Sequence, residues 1–218
     1  MNNLQISYGS TKINRISIIN YIIKKKENNP TFRTIDIGGA ADSWSSIVTD
    51  TTVDINIGDT EKTMSLDICV DEQWNKLFQH VQNTGLYDFA ICTHTLEDIY
   101  NPITVLKNLP LIAKAGVITM PSMYTELGNP ENSNWIGYIH HRWIFDQVQG
   151  SMYIVPKLPV LQWMCKGRKF DVEGREEIMY VWNDSIPYKM FMNNYLGPNK
   201  STVIHAYNQL INGAITNV

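Results

Sequence analysis

Ile35-Asp36-Ile37-Gly38-Gly39-Ala40-Ala41-Asp42-Ser43 is the stretch on which the fold turns. The β-branched run that begins at Thr34 ends on two adjacent glycines, which let the backbone turn tightly and approach a ligand closely. A helix predicted over residues 42–48 would present free N–H groups and a positive dipole end to that turn. Asp36 is acidic where a purely structural strand takes an apolar residue. It suits a cationic or amino-bearing ligand, held directly or through water.

The same rhythm runs outward from this point. Residues 51–55, 64–68, 87–92 and 116–120 read as further strands. Residues 71–83 read as a helix with Trp74, Leu77, Phe78 and Val81 on one face. Residues 102–114 read as another, with Pro102 in the first turn, where a missing N–H costs least. Upstream, residues 11–26 carry Ile13, Ile16, Ile18/Ile19 and Ile22/Ile23 at helical spacing, with a basic end that suits the helix dipole. Asn28-Asn29-Pro30 stops that helix. Apolar strands separated by helices imply an α/β fold: a doubly wound, mostly parallel sheet with helices on both faces. In such folds ligands bind outside the carboxyl ends of the strands.

Past Pro121 the pattern changes. Residues 122–150 are aromatic-rich and irregular. Residues 152–155, 160–164 and 177–182 read as strands of an antiparallel edge near the C-terminus, and residues 201–212 as a closing helix. The expected organisation is one domain over 1–218: an N-terminal helix region (1–31), a core (32–122), and substrate-side loops with C-terminal strands (123–218).

Bulk properties narrow the function classes. The chain has 218 residues, 44% hydrophobic and 18% charged, which suits one globular domain. A net charge of −3 gives no broad phosphate-gripping surface, so no long nucleic acid is expected as partner. No stretch approaches the roughly 20 apolar residues of a membrane span, and the N-terminus has no apolar signal region. Cys69, Cys92 and Cys165 lack the spacing of a zinc site. They read as reduced thiols, two of them inside strands, which points to a cytoplasmic protein.

Asp54 stands eighteen residues beyond Asp36, at the end of the second strand. An acid at about this spacing accepts hydrogen bonds from ribose hydroxyls in nucleotide-type folds. Asp67 follows at the end of the third strand, where it could meet an adenine amine. A dinucleotide site would want G-x-G-x-x-G, and a P-loop G-x-x-x-x-G-K-[ST]; neither occurs. The ligand that survives is an adenosyl group without a pyrophosphate.

Residues 88–122 carry a resemblance. Asp88-Phe89-Ala90-Ile91-Cys92-Thr93-His94-Thr95-Leu96-Glu97-Asp98-Ile99, then Asn101-Pro102, then Ala115-Gly116-Val117-Ile118-Thr119-Met120-Pro121-Ser122, resembles the class I (Rossmann-like) S-adenosylmethionine-dependent methyltransferases. With Asp36, Gly38, Gly39, Asp54 and Asp67 the likeness covers roughly residues 32–122. It implies a cofactor-binding core for S-adenosyl-L-methionine. Asp36, Gly38 and Gly39 would surround the methionine moiety. Asp54, with Ile55 beside it, would hold the ribose. Asp67 and Ile68 would border the adenine, and Thr93 and His94 would flank the cofactor near the transferred methyl. Ala40 replaces a frequent third glycine, and Ala115-Gly116 replaces Gly-Gly. The first of these departures leaves open a degenerate cofactor-binding domain without turnover.

A narrower resemblance joins Pro121-Ser122, Glu126 and Gly137-Tyr138-Ile139-His140-His141-Arg142-Trp143 to methyltransferase-domain proteins associated with glycan or cell-surface polysaccharide synthesis. It implies O-methylation of a sugar or glycan hydroxyl, with small-molecule or phenolic methylation as the alternative. A hydroxyl needs a general base near neutral pH, and histidine is the natural choice. His141 is the first candidate and its neighbour His140 the second. Tyr124, Glu126 and Arg142 are candidate acceptor-binding residues. Tyr124, Trp135, Tyr138 and Trp143 could stack on sugar faces or cap the core. Glu97, Asp98, Glu126 and the histidines could gather a divalent ion. No tight ligand spacing supports one, so no metal is expected. No Asn/Asp-Pro-Pro-Tyr/Phe segment follows the fourth strand, which disfavours a nucleic-acid substrate.

Overall fold

The computed structural model describes residues 4–40, 42–191 and 200–212; Ala41 of the glycine turn lies outside them, as do the ends of the expected 1–218 domain. Among these residues the order is β1 (Ser7–Gly9), α1 (Thr11–Asn28), β2 (Thr34–Ile37), β3 (Thr51–Asp54), β4 (Thr63–Ser65), α2 (Asn75–Thr84), β5 (Phe89–Thr93), α3 (Pro102–Ile112) and β6 (Ala115–Pro121). Then come α4 (Met123–Leu127), β7 (Trp143–Val148), β8 (Ser151–Pro156), α5 (Leu161–Met164), β9 (Glu177–Asn183), β10 (Tyr188–Met190) and α6 (Lys200–Ile211). A seven-stranded sheet has the order β1-β9-β6-β5-β2-β3-β4, and a three-stranded sheet the order β10-β8-β7.

The large sheet is α/β and mostly parallel, as expected. β2 pairs in parallel with β3 and β5, β3 with β4, and β5 with β6. β9 runs antiparallel beside β6, and β1 antiparallel outside β9. Strand order reverses between β2 and β5, so the crevice of a doubly wound sheet opens above their carboxyl ends.

Alternation along the strands fixes the two faces. Phe89, Ile91, Val117 and Met179 pack on Ile18 and Ile22 of α1. Ala90, Cys92, Ile118 and Met120 face the other way, in the cluster that holds Leu77 and Val81 of α2 and Val105 and Leu109 of α3. Each such aliphatic side chain contributes roughly 1.5–3 kcal/mol by leaving water. A third cluster joins α4, β7, β8, α5 and α6 through Leu127, Ile144, Val155, Leu161 and Tyr207.

Several expectations need correction. In α1 the inward stripe is Asn14, Ile18 and Ile22, while Ile13, Ile16 and Ile23 are exposed. Lys25 and Lys26 do end the helix, and the Ser10 side chain caps its start. Residues 42–48 form turns, not a helix. The Ser45 hydroxyl bonds Asp36, and the backbone closes i→i+3 turns from Ser46 N–H to Ser43 O and from Val48 N–H to Ser45 O. Residues 160–164 form a single helical turn rather than a strand. The third strand stops at Ser65, so Asp67 lies beyond its tip. Residues 122–150 hold α4 and β7, both unread in the sequence. All three thiols are free and buried, but only Cys92 sits in a strand. Among the described residues, no helix is long and apolar enough to cross a membrane.

Candidate functional site

Asp36 sits at the reversal point, in the middle of β2, with 2% exposure. The Ser45 hydroxyl donates to its Oδ2, while its buried Oδ1 has no partner among the described residues. Burial, opposed by the Ser45 bond and reinforced by the nearby Asp54 charge, pushes the carboxyl up to about 6. Gly38 follows with φ +79°, and a Cβ there would strike the Thr95 side chain. A Cβ on Gly39 would collide with the Asp36 carboxylate. These two glycines therefore let the turn lie against an incompletely satisfied acid.

The neighbouring strand tips are more open. Asp54 Oδ1 accepts from the Asn56 N–H (2.7 Å), a local turn bond, and Ile55 beside it is 58% exposed. Asp67 Oδ1 accepts from the Cys69 N–H (2.9 Å), and Ile68 is a core residue whose carbonyl receives the Trp74 indole N–H. Both acids shape local turns.

Thr93 ends β5 in register with Thr119. His94 follows with φ +49°. Its Nε2 meets buried Glu177 of β9, and its Nδ1 lies 3.3 Å from Glu97, also buried. Burial, the largest influence, pulls the imidazole down. The two carboxylates outweigh it and hold His94 at about 9, so it is an imidazolium at neutral pH. Glu177 also accepts from Asn14 Nδ2 of α1 (2.7 Å).

The histidine-rich segment is tied to this loop. Arg142 N–H donates to Glu97 O (2.7 Å), and the Trp143 indole donates to Ile99 O (2.8 Å). His141 is buried, with Nδ1 2.6 Å from Glu126 Oε1 of α4. Glu126 is 1% exposed, and its other oxygen accepts from Lys157 Nζ (2.7 Å). A carboxylate held by a cation can only accept, so Nδ1 of His141 carries the proton in this bond. Nε2 then points toward Asp98 Oδ1, 3.5 Å away. His140 is exposed and its Nε2 lies 3.7 Å from the same oxygen.

Other acceptor-side expectations fare unevenly. Tyr124 packs edge-on against Tyr8 and lies under the Arg175 guanidinium. The Arg142 side chain is exposed. Trp143 belongs to the core, whereas Trp135 is 43% exposed. A cavity of ≈ 630 Å³ lies beside His141 and Lys157, lined by Trp135, Ile139, Leu158 and Trp163 among others.

Glu177, Asn14, Ser45 and Lys157 were missed in the sequence. Asn14 had a readable signal, being polar at the i−4 position of the Ile18–Ile22 stripe. Glu177 had a weaker one, an acid opening an apolar strand. Two features suit the crevice to an amino-bearing or cationic ligand: Asp36 Oδ1 is a buried acceptor without a partner among the described residues, and the bare Gly38-Gly39 turn allows close backbone approach.

No protein-family model matches the chain, and no curated protein matches it in sequence. Among solved structures it is similar to a cyclopropane-fatty-acyl-phospholipid synthase-like protein from Lactobacillus casei, at 11% identity and TM-score 0.32, over 54% of this chain and 55% of that one. It thus spans about half of that protein's length. It is also similar to the methyltransferase domain of bacterial CtHen1, at 9% identity and TM-score 0.37, over 76% and 97% of the two chains. A third is the N-terminal domain of EvdMO1 with SAH bound, at 11% identity and TM-score 0.32, over 88% and 69%.

Proposed function

We propose that this chain is an S-adenosylmethionine-dependent O-methyltransferase acting on a sugar or glycan hydroxyl. The observation that carries the reading is the bonding of the histidine-rich segment to the loop after β5: Arg142 N–H to Glu97 O and Trp143 to Ile99 O. This bonding supports the reading, because it ties the segment of the candidate base to the loop whose Thr95 lies against Gly38. When bound, the cofactor supplies an electrophilic methyl on a sulfonium.

The chain's residues divide the remaining work. Asp36 Oδ1 would accept from the cofactor's ammonium, with Gly38 and Gly39 giving close backbone approach. Asp54 and Ile55 would hold the ribose, Asp67 and Ile68 would border the adenine, and Thr93 and His94 would flank the methyl. Glu126 fixes the tautomer of His141 that leaves Nε2, on the Asp98 side, without a proton, so that nitrogen could take the acceptor's hydroxyl proton. Base catalysis of this kind contributes about 10²–10⁴-fold. His140 is the alternative base, being adjacent but exposed. Tyr124, Glu126 and Arg142 would serve the acceptor side. The single-domain organisation is part of this reading, and three buried free thiols suit a reducing, cytoplasmic compartment.

Titration calorimetry with S-adenosylmethionine, followed by transfer of labelled methyl to a glycan panel, tests the proposal. We expect His141→Ala to keep cofactor affinity and lose at least about 100-fold in turnover. Transfer to non-sugar acceptors alone would end the glycan reading. Trp135 and Trp163 in the cavity favour a second reading, a planar phenolic acceptor. Mass spectrometry of products separates the two. Binding without turnover on any acceptor, and no effect of His141→Ala, would leave a cofactor-binding interaction domain.

A further inference from the structure

Asp98, His140 and His141 come together from two segments far apart in the chain. One donor atom of each lies within 4.8 Å of the others. Asp98 Oδ1 is 3.7 Å from His140 Nε2 and 3.5 Å from His141 Nε2. An ion about 2.0–2.2 Å from each donor needs donor spacings of roughly 3.0–3.4 Å in tetrahedral or octahedral geometry. Asp98 and His140 are exposed, so small side-chain rotations close the gap. His141 is already fixed. Its ring is buried, and its Nδ1–H donates to Glu126, which Lys157 anchors in turn. A carboxylate bonded to the far nitrogen of a histidine is the usual outer support of a metal ligand, because it sets the tautomer and aims the lone pair. The backbone adds a second constraint, since Arg142 N–H bonds to Glu97 O (2.7 Å) and pins the two segments together.

We propose that Asp98, His140 and His141 bind one divalent first-row transition-metal ion. Two imidazoles and one carboxylate on one face of the ion match nitrogen-tolerant metals rather than Mg²⁺ or Ca²⁺. Three protein ligands leave coordination positions open, as in catalytic rather than structural sites. The exposed side of the cluster is where an acceptor hydroxyl would enter. A hydroxyl coordinated to the ion becomes more acidic and releases its proton to water at the open face. This catalytic consequence rests on the methyltransferase reading and recasts His141 as a ligand rather than a free base. Metal binding itself does not depend on that reading.

The test uses the untagged full chain, stripped with chelator and titrated with Co²⁺ while the visible spectrum is recorded, then with Zn²⁺ in competition. We expect saturable binding with a single site per chain, displacement by Zn²⁺ and none by equimolar Mg²⁺. His140→Ala lies on the surface and leaves the fold intact, so it is the decisive variant. It and Asp98→Asn should each weaken Co²⁺ more than Glu126→Gln, which touches no metal and should cost about 10–100-fold. No Co²⁺ spectrum in the folded wild-type chain, or one unchanged by both His140→Ala and Asp98→Asn, overturns the site. Co²⁺ binding that stands while no acceptor is methylated upholds the site and sinks only the enzyme reading.

Discussion

Asp36 and Glu126 are both buried carboxylates, and they are treated oppositely. On the crevice side, Asp36 holds one hydroxyl bond and leaves Oδ1 bare in the interior. On the acceptor side, Glu126 is closed on both oxygens, by His141 and by Lys157. A buried polar atom without a partner costs stability. A fully paired carboxylate instead holds other groups in place. On the proposed reading, the contrast separates a group that would receive a ligand from a group that would position one.

The largest expected effect tests the positioning half. Glu126→Ala leaves the half-buried Lys157 without its counter-charge and the buried His141 Nδ1–H without its acceptor, and should destabilise the fold by about 3–5 kcal/mol in urea titrations. A loss under about 1 kcal/mol would break the contrast. Asp36→Asn should act the other way. Its folded pKa of about 6 stands above the ordinary 3.8. Stability from that shift is present at low pH and lost as pH rises through 6, because the buried carboxyl must then ionise. Above that window the variant should gain up to about 3 kcal/mol over wild type without ligand. The gain should vanish near pH 4 in urea melts at the two pH values, while calorimetry shows weaker cofactor binding.

Asp54→Ala should leave folding intact and cost on the order of 1–3 kcal/mol of cofactor binding, since ribose hydroxyls would lose their acceptor. Unchanged affinity would refute the ribose role. A last test concerns His94, whose folded pKa of about 9 lies above its ordinary 6.5. Its stabilising contribution is complete below pH 6.5 and disappears as pH rises through 9. Thermal midpoints should fall across that interval, and Glu177→Gln should shrink the fall.

What could be read in advance follows from how local each signal is. β2 and β3 were legible because β-branched runs end on glycine or aspartate, and β5 because it is a short apolar run. The turns at 42–48 were not, since the backbone there closes i→i+3 bonds (Ser46 N–H to Ser43 O, Val48 N–H to Ser45 O) that do not continue into an α-helix. Residues 160–164 form too short an apolar run for periodicity to choose between helix and strand. β1 was missed for a similar reason, being three residues long. At the site, the histidine pair was visible as a cluster. Its dependence on Glu126 and Asp98 was visible only in part, and Lys157 not at all. Those contacts are made by folding, not by neighbours in sequence.

The outermost strand has a consequence for biosynthesis. β1 pairs with β9 through Ser7↔Met179, so β1 is made long before the strand it waits to pair with. With about 170 intervening residues emerging at about 5–20 per second, that wait is roughly 10–30 s on the ribosome. Until then α1 has only part of its packing surface, because Met179 belongs to the cluster beneath it. Removing Ser7–Gly9 would leave β9 as a bare margin open to pairing with another nascent chain.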